Sequence, residues 1–142
     1  MRMAVVGASR LTEHEERDIR QHLAFIFKQL MDEYEDLTII SGGAKGVDSI
    51  AEELAKQMGI PTTIFRPEVE EWDPTSGMIG YKSRNLQIVN ECDELYCFPC
   101  AIRDTPCYHC KTGKHQVSGA CWTMHRAMTA GKPIHLIEPI IR

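Results

Sequence analysis

The chain has 142 residues, of which 43% are hydrophobic and 25% charged, which suits one globular domain with a buried core and excludes a disordered chain. Sixteen Lys and Arg against twenty Asp and Glu leave a net charge of −4, which disfavours binding nucleic acid through broad charge alone, although a local basic patch stays open. With no run of about 18 apolar residues, and an N-terminal apolar stretch too short for a secretory signal, the expectation is a cytoplasmic protein without a membrane span, its thiols kept reduced.

Short apolar runs alternate with helical patterns along the chain. Met3-Ala4-Val5-Val6 reads as a first strand ending at Gly7-Ala8-Ser9-Arg10. Thr12 and Glu15 form the T-x-x-E pattern of a capping box, so a helix is expected there. Ile19, Leu23, Ile26, Phe27, Leu30, Met31 and Tyr34 then place an apolar stripe toward a core. Leu37-Thr38-Ile39-Ile40 is a second strand, β-branched as a sheet buried on both faces requires. The turn Ser41-Gly42-Gly43-Ala44-Lys45-Gly46 opens a second helix, with Val47, Ile50, Ala51, Leu54, Ala55 and Met58 on one face. Gly59 supplies its left-handed cap and Pro61 stops it.

Thr62-Thr63-Ile64-Phe65 is the third strand. Residues 66–80, punctuated by Pro67, Pro74 and Gly77, read as a long loop, and such a loop in a compact domain is more often functional than idle. A weaker helical pattern over 81–92 carries Lys82-Ser83-Arg84-Asn85, and Leu95-Tyr96-Cys97-Phe98 is the fourth strand. Ser118 caps a helix with Ala120, Cys121, Met124, Ala127 and Met128 on its apolar face. Gly131 ends it, and Ile134-His135-Leu136-Ile137 follows Pro133 as a fifth strand.

This alternation specifies an α/β fold with a mostly parallel sheet of five strands. Right-handed crossovers bring the strand C-terminal ends to one edge, where ligands bind near a switch in strand order. Gly7-Ala8-Ser9-Arg10, Ser41-Gly42-Gly43, Arg84-Asn85 and Ser118-Gly119 all fall on that edge. In Ser41-Gly42-Gly43-Ala44-Lys45-Gly46-Val47-Asp48, glycines at a strand-to-helix turn let backbone approach a phosphate, and the helix N-terminus offers unpaired N–H groups. The spacing is neither the dinucleotide fingerprint nor a P-loop. The same glycines also suffice merely to make the turn, with Asp48 completing the first helical turn.

Gly7-Ala8-Ser9-Arg10, the Ser41 to Asp48 motif and Ser83-Arg84-Asn85 together resemble the YspA-like branch of the SLOG superfamily. That superfamily joins the SMF/DprA DNA-processing proteins and the lysine-decarboxylase-like LOG phosphoribohydrolases. Cys92-Asp93 matches a further family signature ahead of a strand. The resemblance covers residues 3–98 and resumes at about 117–137. It implies a Rossmann-like, three-layer α/β/α domain that binds a nucleotide or nucleotide-derived phosphate ligand. Carried over by residue, Gly7, Ser9 and Arg10 line the pocket beside Ser41, Gly42, Gly43, Lys45, Gly46 and Asp48. Arg84 is the ligand-facing cation supported by Asn85, and Ser118 and Gly119 offer N–H groups to a phosphate. Superfamily members often dimerise, which makes a homodimer an expectation.

The LOG enzymes carry P-G-G-x-G-T-x-x-E, whose glutamate joins an arginine in cleaving an N-glycosidic bond. If Gly119-Ala120 replaces G-T here, Thr123 occupies the glutamate's place, and Asp104 is the one acid between Glu94 and Glu138. Glycosidic cleavage thus lacks an obvious carboxylate; Glu68, Glu70, Glu71 or Asp73 on the long loop could substitute. The leading reading is ligand binding or sensing. A nucleotide-processing N-glycosidic hydrolase and a DprA-like single-stranded nucleic-acid binder are its alternatives, the last disfavoured by the net charge. Trp72 either stacks on a base or closes its loop onto the core. Trp122 is expected against the cysteine segment.

Cys97-Phe98-Pro99-Cys100 and Cys107-Tyr108-His109-Cys110 form C-x2-C-x6-C-x2-C. Two such knuckles can present four thiolates to one tetrahedral ion, so Cys97, Cys100, Cys107 and Cys110 are expected to hold a structural Zn2+ in a small zinc-ribbon-like insert at about 97–117 of a single domain spanning 1–142. His109 or His115 would replace a cysteine that failed to ligate, and an iron–sulfur cluster is the lesser alternative. The insert would wall one side of the pocket, with Lys111, Lys114 and His115 either toward an anionic ligand or simply solvated. Cys92 and Cys121 fall back to small core residues.

Overall fold

In the computed structural model, which describes residues 1–74, 80–99 and 119–137, five strands form one sheet in the order β3-β2-β1-β4-β5, and every neighbouring pair is parallel. The strands are β1 (Arg2–Gly7), β2 (Thr38–Ser41), β3 (Thr62–Ile64), β4 (Glu94–Phe98) and β5 (Ile134–Leu136). The helices between them are α1 (Glu13–Glu33), α2 (Val47–Gln57), α3 (Tyr81–Glu91) and α4 (Gly119–Thr129). The expected Rossmann-like α/β fold is the one observed.

Alternation along β1 divides the core between the two faces of the sheet. Met3 and Val5 pack with Leu23, Phe27 and Leu30 of α1 and with Val47, Ile50 and Leu54 of α2. Ala4 and Val6 pack with Ile88 and Val89 of α3 and with Ala120, Met124 and Ala127 of α4. Thr12 caps α1 as its sequence requires: the Glu15 N–H donates to Thr12 Oγ1 at 3.2 Å, and Glu15 Oε1 accepts the Thr12 N–H at 3.0 Å. Gly59 follows α2 at φ 73°, the left-handed value expected of a C-terminal cap.

Two methionines depart from their expected stripes. Met31 is 43% and Met128 50% exposed, because Leu30 and Ala127 take the neighbouring core-facing positions and each methionine is turned about 100° away from them. Cys92 and Cys121 are buried in the core, as expected. Trp122 rests edge-on against Trp72 of the 66–74 loop, with ring centroids 4.9 Å apart; its expected contact with the cysteine insert lies outside the described residues. The end of α3 is closed by a distant side chain. Lys132 Nζ donates to the carbonyls of Val89, of Asn90 at 3.1 Å and of Cys92 at 2.6 Å. No described helix is long and apolar enough to cross a membrane.

Candidate functional site

The strand order reverses at β1, whose neighbours β2 and β4 lead to helices on opposite faces of the sheet. The crevice this opens at the strand C-terminal ends is the place where such sheets bind ligands. A cleft of about 850 Å³ lies there. It brings together Gly7, Ser9, Arg10, Gly42, Gly43, Lys45, Asp48, Arg84, Asn85 and Gly119, which are far apart in sequence.

Gly7 and Gly46 serve packing. A Cβ on Gly7 would lie 2.5 Å from Val47 Cβ and 2.6 Å from the Phe98 oxygen. Gly46 has φ 79°, and its Cβ would fall 2.2 Å from the Ala8 oxygen. Both vacancies let α2 begin directly against the end of β1, where the Val47 N–H donates to the Ala8 carbonyl at 3.1 Å. Ser9 and Arg10 are left exposed at the cleft mouth.

Two backbone donors of the glycine turn after β2 are engaged within the turn itself. The Gly43 N–H donates to Ser41 Oγ at 3.2 Å and the Ala44 N–H to Asp48 Oδ2 at 3.2 Å. The Gly42 N–H adds to the stabilisation of the Asp48 carboxylate. The loop thus closes around its own carboxylate, in the manner of an anion nest already filled. Ser41 is fully buried and its hydroxyl donates to Glu52 Oε1 at 3.2 Å, so it shapes the turn from beneath and does not line the cleft.

Asp48 is 6% exposed. Burial pushes its carboxyl up to about 6, against the opposing pull of the Ala44 N–H and the Arg84 guanidinium. Arg84 is itself 7% exposed. Its Nη1 donates to the Gly42 carbonyl, its Nε to Asn85 Oδ1 at 2.8 Å, and its guanidinium lies 5.5 Å from the Tyr81 ring centroid. Burial lowers its pKa, while the Asp48 charge raises it. Nη2 forms no hydrogen bond within the described residues. Among the described residues no fully buried side-chain nitrogen or oxygen lacks a partner, so Nη2 keeps some exposure on a residue that lines the cleft.

Three lining residues escaped the sequence reading. Arg66 donates from Nη1 to the Gly43 carbonyl at 3.1 Å, Tyr81 lies beneath Arg84, and Pro67 belongs to the same loop wall. Of the four loop acids considered, Glu70 alone lines the cleft, whereas Asp73 pairs with Lys82 at 3.4 Å. Thr123 lines the cleft, 1% exposed, with its hydroxyl donating to the Gly119 carbonyl at 2.7 Å.

The model of the YspA, cpYpsA-related SLOG family matches residues 1–72, just over half of the chain, including both the Gly7 and the Ser41 turns. The chain belongs to this SLOG family. Comparison with curated proteins gives no match. Among solved structures, DNA processing protein A (DprA) from Streptococcus pneumoniae is similar at TM-score 0.66 and 20% identity. The alignment covers 99% of this chain and 51% of that one, so the SLOG domain spans about half the length of that DprA structure. DprA from Helicobacter pylori, described for its single-stranded DNA binding mode, aligns at TM-score 0.61 and 20% identity over 96% of this chain and 64% of its own. The molybdenum cofactor carrier protein from Chlamydomonas reinhardtii aligns at TM-score 0.60 and 17% identity over 95% and 75%. At these identities the likeness is one of fold.

Of the cysteine motif, Cys97 alone is among the described residues. It is fully buried near the end of β4, in the apolar cluster that includes Val6, Cys121 and Met124. Cys100, Cys107 and Cys110 lie outside the described residues, as do Ser118, His109, His115, Lys111 and Lys114. No group of three or more His, Cys, Asp or Glu is placed to hold a metal among the described residues.

Proposed function

We propose that this SLOG domain binds or senses a nucleotide-derived phosphate compound in the cleft at the C-terminal edge of its sheet. One observation carries the reading: four cations, Arg10, Lys45, Arg66 and Arg84, converge on the cleft against two carboxylates, Asp48 and Glu70. That local excess of positive charge contrasts with the net −4 of the chain. Because the glycine turn is filled by Asp48, the phosphate is held by side-chain cations, with exposed Lys45 and Arg66 beside the Gly43 carbonyl as its principal partners.

The test is calorimetric titration with the four common nucleoside monophosphates and with the matching nucleosides. The monophosphates should bind and the nucleosides should bind far more weakly. Lys45→Ala with Arg66→Ala should weaken monophosphate binding by roughly a hundredfold or more, since hydrogen bonds to charged groups contribute about 1.5–3 kcal/mol each. Nucleosides binding as tightly as their monophosphates would refute the reading.

A second reading, N-glycosidic hydrolysis, draws on Glu70, a carboxylate in the cleft, and on Asp48, whose raised pKa would let it carry a proton near neutral pH. Release of free base by the wild type and its loss in Glu70→Gln would favour it.

We further propose a structural zinc in the insert. The burial of Cys97 in the core favours Cys100, Cys107 and Cys110 as ligands, with His109 or His115 completing the set. Three thiolates and one imidazole suit a closed tetrahedral site.

A further inference from the structure

The cleft has two chemically different ends. The phosphate-binding reading uses the end beyond β2, where Lys45 and Arg66 stand. At the other end, where α4 begins after β4, the lining is aromatic and amide in character. Trp72 lines the cleft there and is 41% exposed. A tryptophan whose work was to close its loop onto the core would be buried, yet this indole is left open while other groups fix the loop. The Tyr81 N–H donates to the Glu71 carbonyl at 2.8 Å and the Lys82 N–H to the Trp72 carbonyl at 2.9 Å. Lys82 pairs with Asp73, and Trp122 meets the indole edge-on at an interplanar angle of 87°. Gly80 permits this close docking, since a Cβ there would lie 2.3 Å from the Glu71 oxygen. The indole is therefore held in place before any ligand arrives, with little left to order on stacking.

Asn85 stands beside it. Its Oδ1 is taken by Arg84 Nε at 2.8 Å, the residue is 7% exposed, and Nδ2 forms no hydrogen bond within the described residues. Because no fully buried side-chain nitrogen lacks a partner among the described residues, Nδ2 keeps some exposure on a residue that lines the cleft and is free to donate there. A Cβ on Gly119 would sit 3.7 Å from this nitrogen and 3.9 Å from Trp72 Cζ3, so amide, indole and the start of α4 meet at one point. The sheet separates this point from the cation end: the glycine turn follows β2 and α4 follows β4, with β1 between them. Two interstrand spacings amount to roughly 10 Å, a span that a nucleoside phosphate bridges and a bare phosphate does not.

We propose that the Trp72 end is a nucleobase subsite, so that the ligand class is a nucleoside phosphate lying across β1. The base stacks on Trp72, a ring carbonyl or ring nitrogen accepts from Asn85 Nδ2, and the phosphate lies toward Lys45 and Arg66. This inference rests on the phosphate-binding reading and adds the base to it.

The test removes the base in place of the phosphate. AMP, GMP, CMP and UMP are titrated against ribose 5-phosphate on the wild-type chain, Trp72→Ala and Trp72→Phe. At least one nucleotide should bind roughly 5- to 150-fold tighter than ribose 5-phosphate, the worth of one base on one aromatic ring. Trp72→Ala should erase that difference while leaving ribose 5-phosphate affinity unchanged, and Trp72→Phe should retain most of it. Ribose 5-phosphate binding as tightly as the best nucleotide, or Trp72→Ala weakening both alike, overturns the base subsite and leaves the phosphate reading intact. Binding of neither compound overturns both. If the alanine variant fails to fold, the wild-type comparison decides alone.

Discussion

Asp48 offers the sharpest physical test, because its environment sets a sign as well as a size. Its carboxyl is raised from 3.8 to about 6, chiefly by burial. A carboxyl whose folded pKa exceeds its unfolded value binds more protons when folded, so stability falls as pH rises through the interval between the two. At about 1.4 kcal/mol per unit the full effect is about 3 kcal/mol, spread between pH 3.8 and about 6. By the same linkage, about 2 kcal/mol of it develops between pH 4.5 and pH 7.5. Asp48→Asn keeps the shape and an acceptor for the Ala44 N–H but cannot ionise. The assay is urea unfolding of both proteins at the two pH values, with the difference between them taken so that other titrations cancel. The variant should gain about 2 kcal/mol on the wild type from pH 4.5 to pH 7.5, or roughly 4–8 °C in Tm. An unchanged difference would refute the claim that a buried carboxyl fills the turn. A shift in favour of the wild type would show that pairing with Arg84 outweighs burial.

Three further outcomes follow from individual contacts. Gly46→Ala places a side chain at φ 79° and against the Ala8 oxygen, so unfolding free energy should drop by at least roughly 1–3 kcal/mol from the backbone alone, measured in urea. Lys132→Met removes the charged donor from three carbonyls at the end of α3. It should cost about 1.5–3 kcal/mol and raise amide exchange selectively in the last turn of that helix. Elemental analysis should find about one zinc per chain, lost in Cys107→Ser and retained in Cys97→Ala; retention of metal by both variants would contradict the proposed ligand set.

The helices and the order of elements were legible because periodicity records burial directly, as in α2, where Val47, Ile50, Ala51 and Leu54 are all buried. Most of the cleft was legible as well, since parallel strands bring every turn after a strand to one edge. What each turn residue does there was not. The Ser41 to Asp48 motif reads equally as a phosphate turn or as a plain turn until the backbone conformation shows Asp48 folding back onto the Ala44 N–H. Arg66 and Tyr81 gave no signal because neither stands in a motif. The path of the 66–74 loop and the docking of α3 bring them to the cleft, and both are tertiary. Among the loop acids, composition could not separate Glu70 from Asp73, whereas the ion pair with Lys82 does.

That one cleft holds both ends of a nucleoside phosphate is best tested by a crystal structure of the chain with its tightest-binding nucleoside monophosphate. Phosphate density is expected beside Lys45 and Arg66, with the base against Trp72 within reach of Asn85 Nδ2 and the Asp48 carboxylate still on the Ala44 N–H. Density for the nucleotide outside this cleft, or a phosphate in the glycine turn with Asp48 displaced, would contradict it.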